Sequence, residues 1–482
     1  MPPQLAALIF ILFIAYLFWV DIRKTSNASN ALWIPLIWML LGGSRFVSQW
    51  LNLGVPASKE EGSAIDAVVF FILILAGVMI LMRREVNGKG LFKQNAWIWL
   101  YFCFGLVSIL WSDFPFVSFK RLVKALGNVI MVLVILTEER PYEAFGTVLR
   151  RFSFLLLPLS ILFIKYYPEL GRGYHMGIPM NNGVSTQKNG LGQICLLSAV
   201  YFSWSLLLDR RNEIESGQTH LPKYIIFIIL AMVVWLLSKA DSATSTACVA
   251  ISVCLFFVAR QSVMIRQPTR IFYFTISGIV ILGVLEMLFG ISAEIIVMLG
   301  RRPDLTTRVP MWQDLIAMAK YPITGFGYES FWLGQRQELI RERWSIDMQA
   351  HNGYLEMYLN MGLIGLFFLF SWALSGLKKI KHCLSIDYPV ALLRFCFVLV
   401  VLISNWTEAT FYGISIMWMM LLLGVMEVPI QHPREKVLSE HPDQKFTKPK
   451  FRYRVDNTLA GNKNKSSLRK QSQRLHQRLL RK

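Results

Sequence analysis

The stretch Gln349–Phe370, QAHNGYLEMYLNMGLIGLFFLF, sets a polar His-Asn-Gly directly before a long apolar run that only Glu356 and Asn360 interrupt with groups lipid would refuse. Such a run reads as a membrane-crossing helix. His351 then stands at its mouth, where water and membrane meet. Two readings of the mouth are open. Asn352 and Gly353 start the helix and His351 is an ordinary interfacial residue, or His351 is a reactive group to which the rest of the chain brings partners.

Apolar runs of similar length recur through the 482 residues, 54% of which are hydrophobic. They are continuous, not alternating, which excludes an outer-membrane barrel and points to an all-α polytopic membrane protein. Candidate spans are 4–20, 31–43, 64–82, 95–112, 122–137, 150–165, 190–208, 223–238, 242–259, 271–290, 353–377, 388–405 and 409–428. The second is short and contains Pro35, so the count is about twelve or thirteen transmembrane helices. The first lacks a basic n-region and a cleavage site, and reads as a retained span. The division that follows is a bundle over 1–290, a large loop over 291–351, C-terminal spans over 352–428 and a basic tail over 429–482.

Basic residues fix the sides. Arg83/Arg84, Arg150/Arg151, Arg210/Arg211, Arg260/Arg266 and Lys378/Lys379 fall on alternate loops, which with the tail define the cytoplasmic side. More than half of the net charge of +20 lies beyond Pro429. A basic segment after a last span holds that side and touches anionic lipid, so nucleic acid is not an expected partner. The tail reads as disordered. The six cysteines fall mostly within apolar runs, with no disulfide or zinc spacing.

The opposite side receives the loop 291–350, long enough to be functional. Within it Pro310–Ala319 has amphipathic helical spacing with Pro at its start, and Tyr321–Phe331 reads as a shaped Gly-aromatic loop. This side is rich in cations for a non-cytoplasmic face: Lys120, Arg121, Arg172, Lys188, Arg301, Arg302, Arg308, Arg336, Arg341 and Arg343. Arg301, Arg302, Arg336, Arg341 and Arg343 read as solvated loop charges. Arg308, two residues before Pro310, and Arg121 and Lys188, at span ends, are placed to meet an anion, and a guanidinium fork suits phosphate. No Asp-x-Asp or Asp/Glu cluster accompanies them, so no metal cofactor is expected. His351 is the candidate general base, its ordinary pKa lying near neutrality, with His175 as a competitor. Asn352 and Glu356 are candidates for holding a substrate, Asn352 by orienting a substrate hydroxyl. No Ser-x-x-Lys, Gly-x-Ser-x-Gly or His-Glu-x-x-His hydrolase pattern occurs. The cluster Ser238–Thr246 reads as tight helix packing or as a polar substrate wall.

Four segments, in order, carry a resemblance: GVSTQKNGLGQ (Gly183–Gln193), LLSKADSATSTA (Leu236–Ala247), LTTRVPMWQ…YPITGFGYESFW (Leu305–Trp332) and AHNGYLEMYLNMGLIGL (Ala350–Leu366). The chain resembles the bacterial O-antigen ligase and polymerase family (Wzy/WaaL-like), in particular its exopolysaccharide-production polymerase branch, over roughly residues 100–425. Thr307 departs from the Gly that often precedes the family's Arg. The resemblance implies a GT-C-like, metal-independent glycosyltransferase without cofactor in the bacterial inner membrane, its site facing the periplasm. Its donor would be a glycan on undecaprenyl pyrophosphate and its acceptor a sugar hydroxyl, with other polysaccharide export proteins as further partners. Carried over, Arg308 engages the pyrophosphate and His351 activates or positions the acceptor. Lys188 and Arg121 are further phosphate contacts, and Asn189, Arg172, Asn352 and Glu356 complete the expected substrate site. The expected activity is a polymerase acting on lipid-linked repeats. A ligase handing the glycan to lipid A-core or protein is the near alternative, and a flippase of lipid-linked repeats the alternative from another class.

Overall fold

The computed structural model describes residues 1–24, 28–53, 62–175, 177–208, 221–289, 305–344 and 349–429. The tail expected after 429 lies outside them, as do Arg301 and Arg302. The longer helices are α1 (Pro3–Lys24), α2 (Trp33–Gly43), α3 (Ala64–Met82), α4 (Ala96–Ser108), α5 (Pro115–Leu136), α6 (Pro141–Tyr166), α7 (Lys188–Leu207), α8 (Lys223–Ala240), α9 (Ala243–Ala259), α10 (Arg270–Phe289), α11 (Leu305–Ala317), α12 (Gln335–Trp344), α13 (Gly353–Cys383), α14 (Tyr388–Ser404) and α15 (Ile416–Val425). One short hairpin, β1 (Arg172–His175) with β2 (Ile178–Asn181), pairs Arg172 with Asn181.

Six of the described helices are long and apolar enough to cross a membrane, and up to seven if the bent pair Gly88–Gln94 and Ala96–Trp111 is one span. Four shorter apolar helices accompany them, among them α14 and α15. The protein is thus all-α apart from the hairpin and largely membrane-spanning. Helices α14 and α15 are buried on nearly every face and, with α6 and α7, form the centre. Helices that are apolar all round belong there. Helices α1 and α3 turn most of their apolar side chains outward, as lipid-facing helices do.

Ion pairs between elements fall near the two ends of the bundle. At one end Asp21 at the foot of α1 accepts from Arg150 Nε (2.7 Å) and Arg151 Nε (2.8 Å) near the start of α6. Arg84 after α3 meets Glu138 after α5, and Arg394 of α14 meets Glu427 after α15. The other end carries the hairpin, α11, α12 and the loops before α7 and α15.

Helix α13 is broken at Gly362 (φ 63°, ψ −162°). A break inside an apolar span exposes backbone groups that lipid cannot satisfy. The Gly-aromatic loop does so here. Leu363 N–H and Ile364 N–H donate to Pro322 O (2.9 Å) and Ile323 O (3.2 Å), while Leu359 O and Asn360 O accept from Phe326 N–H (3.1 Å) and Gly327 N–H (2.9 Å). The approach requires glycines. A Cβ at Gly325 would lie 2.3 Å from Asn360 O, and one at Gly362 would lie 2.2 Å from Ile323 O. The loop read as shaped by Gly and aromatics is therefore shaped to fill a helix break.

Two expectations are corrected. The loop helix begins at Leu305, not Pro310, so Pro310 sits inside α11 and Arg308 lies on its first turn. At this sixth position proline removes one backbone hydrogen bond of the helix. Arg336 is not a free loop charge. It spans Asp113 (2.6 Å), Ser330 O and Phe331 O, and lies over the Phe326 ring. Arg343 likewise pairs with Asp314 at 3.1 Å.

Candidate functional site

Both sides of His351 are held. Ala350 donates its N–H to Glu356 Oε2 (3.0 Å) and accepts at its carbonyl from Trp312 Nε1 of α11 (2.8 Å). Asn352 caps α13 by accepting from Tyr354 N–H (3.0 Å) and Leu355 N–H (3.1 Å). Gly353 N–H donates to Asn405 O and Glu408 O, each at 2.8 Å. A side chain at Gly353 would strike Asn405 Oδ1, so the loop before α15 presses directly on the start of α13. Between these anchors His351 has φ +50°. Left-handed backbone is uncommon for a residue with a Cβ, though less so for His than for bulkier types. It is sustained by surroundings that fix both neighbours.

Two of the expected substrate residues thus have structural partners. Asn352 spends its side-chain oxygen on the helix cap. Glu356 is 3% exposed and divides its carboxylate between Ala350 N–H and Trp332 Nε1. They orient the turn that bears His351.

Arg308 reaches the same loop from α11, donating from Nη1 to Thr407 O at 2.9 Å. The Thr407 hydroxyl bonds Thr244 at the start of α9. Beside it Glu408, 8% exposed, accepts from Asn189 Nδ2 of α7 at 2.7 Å. Lys188 lies 3.7 Å from Asp241, in the turn between α8 and α9. Small residues let these elements close: a Cβ at Gly192 would come within 2.6 Å of Ser245 Oγ, so the Ser/Thr cluster acts in part as a packing surface. Arg308, Asn189 and the turn of His351 thereby converge on residues 405–408, and Lys188 is near enough to act on the charge of Glu408.

Burial raises the Glu408 carboxyl to about 7, against the opposing pull of Arg308, the Asn189 hydrogen bond and Lys188. The group changes charge near neutrality beside the guanidinium. Sequence reading missed it. The available signal was one acidic residue in a short polar loop between two apolar runs.

Arg121 is held elsewhere, donating to Glu329 O. The Glu329 carboxylate accepts from Gly413 N–H at 3.0 Å, and burial raises its pKa despite Arg121 nearby. Arg172 donates to Ile164 O (3.1 Å) and ties the hairpin to the end of α6. His175 lies in β1, its side chain outside the described residues. A small cleft at Gly353 is lined by Tyr328, Glu329, Glu356 and Tyr412 among others. Among the described residues no three His, Cys, Asp or Glu side chains gather as metal ligands would.

A polytopic helical membrane protein with a cationic loop site at one end is the class these features define. Residues 225–370, from α8 through the break in α13, match the O-Antigen ligase family model. The chain is 25% identical over 334 residues to the exopolysaccharide production protein ExoQ of Rhizobium meliloti (strain 1021), covering 66% of this chain and 72% of that protein. Both findings support assignment at the level of this family, and neither selects a branch within it. The family match includes Arg308 and His351 and stops before Glu408.

Proposed function

We propose that the protein is a polysaccharide polymerase. It transfers a glycan from undecaprenyl pyrophosphate to a sugar hydroxyl of another lipid-linked repeat, at the periplasmic face of the bacterial inner membrane. The observation that carries this reading is the convergence of Arg308 and the His351 turn on one short loop, through Thr407 O and Gly353 N–H. Likeness to an exopolysaccharide production protein favours the polymer as product.

The acceptor oxygen attacks the anomeric carbon while the bond from that carbon to the phosphate oxygen breaks. The acceptor proton passes to His351, and the electron pair leaves with the lipid diphosphate. Arg308 stabilises the charge that develops there, the larger contribution to the rate. Asn189 and Lys188 border the same anion. The ordering of His351 by Glu356, Asn352 and Trp312 lowers the cost of aligning base and acceptor. No step requires a metal ion, so transfer by purified protein is expected to survive chelator. A loss restored by magnesium would count against this mechanism.

The family model's description favours a second reading, a ligase that transfers the same donor to lipid A-core or protein. Cells carrying His351→Ala separate the readings. Single lipid-linked repeats accumulate if the protein polymerises, whereas long lipid-linked chains without a final acceptor accumulate if it ligates. Repeats trapped on the inner leaflet would instead indicate a flippase.

A further inference from the structure

Helix α5 carries three cations at its loop end, Lys120, Arg121 and Lys124, and none meets a carboxylate among the described residues. Lys120 lies over the Phe116 ring, 4.9 Å from its centroid. Arg121 bonds the backbone carbonyl of Glu329. Lys124, one helical turn deeper and half-buried, has no hydrogen bond or ion pair to any described residue. The two acidic groups that act on it are engaged with other donors. Glu329 accepts from Gly413 N–H, and Asp66 accepts from Ser48 N–H (2.9 Å) and Ser48 Oγ (2.6 Å). Other arginines behave otherwise: Arg84, Arg150, Arg151 and Arg394 at the far end, and Arg336 and Arg343 at this one, each meet a carboxylate. Cations within a span are costly unless compensated and mark ligand sites.

The surface beside them is apolar and outward-facing. Leu110 is 85% exposed and Phe116 70% exposed, with Phe119 also exposed on the next turn. An anionic head on Arg121 and Lys124 would leave a hydrocarbon tail free to lie along this face. The cluster also has a defined relation to Arg308. Arg308 bonds Thr407, and the carbonyl partner of Arg121 belongs to Glu329, whose carboxylate holds Gly413. Thr407 and Gly413 are six positions apart in the chain, so these anchors lie no more than about 22 Å apart.

We infer that Lys120, Arg121 and Lys124 hold the diphosphate head of a second polyprenyl-linked substrate, the acceptor, while Arg308 holds that of the donor. The inference rests on the polymerase reading and deepens it. A polymerase joining two lipid-linked glycans must seat two diphosphates, with the acceptor head set back from the reacting carbon by the length of its own glycan. A ligase whose acceptor is not a lipid diphosphate needs one.

The test is equilibrium binding of a radiolabelled short-chain polyprenyl diphosphate to the whole chain in phosphatidylcholine nanodiscs. The wild type is expected to bind two equivalents. Lys124→Gln combined with Arg121→Gln weakens one equivalent about tenfold or more, Arg308→Gln weakens the other, and Lys124→Arg keeps both. Thermal unfolding of each variant reports folding, and Lys124→Gln alone replaces the double variant if that one unfolds. Two unchanged equivalents in the α5 variants overturn the inference. So does displacement of the second equivalent by matched phosphatidylglycerol, which would make this an ordinary phospholipid site. If two-site binding holds while no variant or wild type makes polymer, the polymerase reading fails and the second diphosphate site stands.

Discussion

Two sets of arginines, one at each end of the bundle, are used to opposite effect. At one end arginines are closed against carboxylates: Asp21 takes two guanidiniums, Glu138 takes Arg84 and Glu427 takes Arg394. At the other, Arg336 and Arg343 are likewise paired with Asp113 and Asp314, but Arg308 and Arg121 lean on backbone carbonyls and keep their charge available, and the nearby carboxylates are satisfied by Asn189 and Gly413. A cation neutralised by its own chain fastens helices together. A cation fixed in position but not neutralised is prepared for an anion from outside. The difference lies in pairing and not in composition.

This contrast is open to direct attack. The largest effect on stability is expected from Asp21→Ala, which strands Arg150 and Arg151 in the interior. Breaking a buried pair costs about 3–5 kcal/mol, so its unfolding midpoint in detergent should fall markedly. A midpoint close to the wild type's would mean that the closed end is not what fastens α1 to α6. Arg308→Ala is expected to do the reverse, holding the midpoint while lowering transfer about a hundredfold or more, the usual loss for one group that stabilises developing charge. Gly362→Ala combines positive φ with a 2.2 Å clash, and should loosen the loop 322–327, reducing transfer and increasing proteolysis near Tyr321 together.

A smaller effect concerns pH. With its carboxyl at about 7, Glu408 is mostly neutral below neutrality and mostly ionised above it. Rising pH therefore adds a negative charge beside Arg308 and weakens diphosphate binding. The donor KM should climb between about pH 6 and 8, and Glu408→Gln should flatten that rise. A wild-type slope that persists in the variant would assign the titration to another group. The smallest effect belongs to Asp241→Asn. Its pair with Lys188 is partly exposed and worth about 0–1 kcal/mol, so a large change in unfolding midpoint would show that the open end is fastened like the closed one.

Much of the architecture was legible because apolar length and alternating basic loops report directly on crossing a membrane. A helix occurs within each expected span, and α7 begins at Lys188, as its polar-to-apolar step indicates. But six of the described helices, or seven with the bent pair, are long and apolar enough to cross a membrane where twelve or thirteen were expected, and the helix within 409–428 covers only Ile416–Val425. The break in α13 was not legible. Gly362 sits in an unbroken apolar run, and only the tertiary pairing with residues 322–327 makes the interruption affordable. Nor does sequence spacing reveal that Ala350 N–H and Trp332 occupy the Glu356 carboxylate. Glu408 and Lys124 escaped notice because their significance depends on neighbours distant in the chain. Arg308 and His351 could be selected individually, but their shared anchorage on 405–408 comes from three-dimensional packing.

The most direct measurement is polymer formation by purified protein given a lipid-diphosphate-linked repeat, comparing wild type with His351→Ala of equal unfolding midpoint. The account predicts long polymer from the wild type and unextended repeats from the variant. Undiminished polymer from His351→Ala would contradict it.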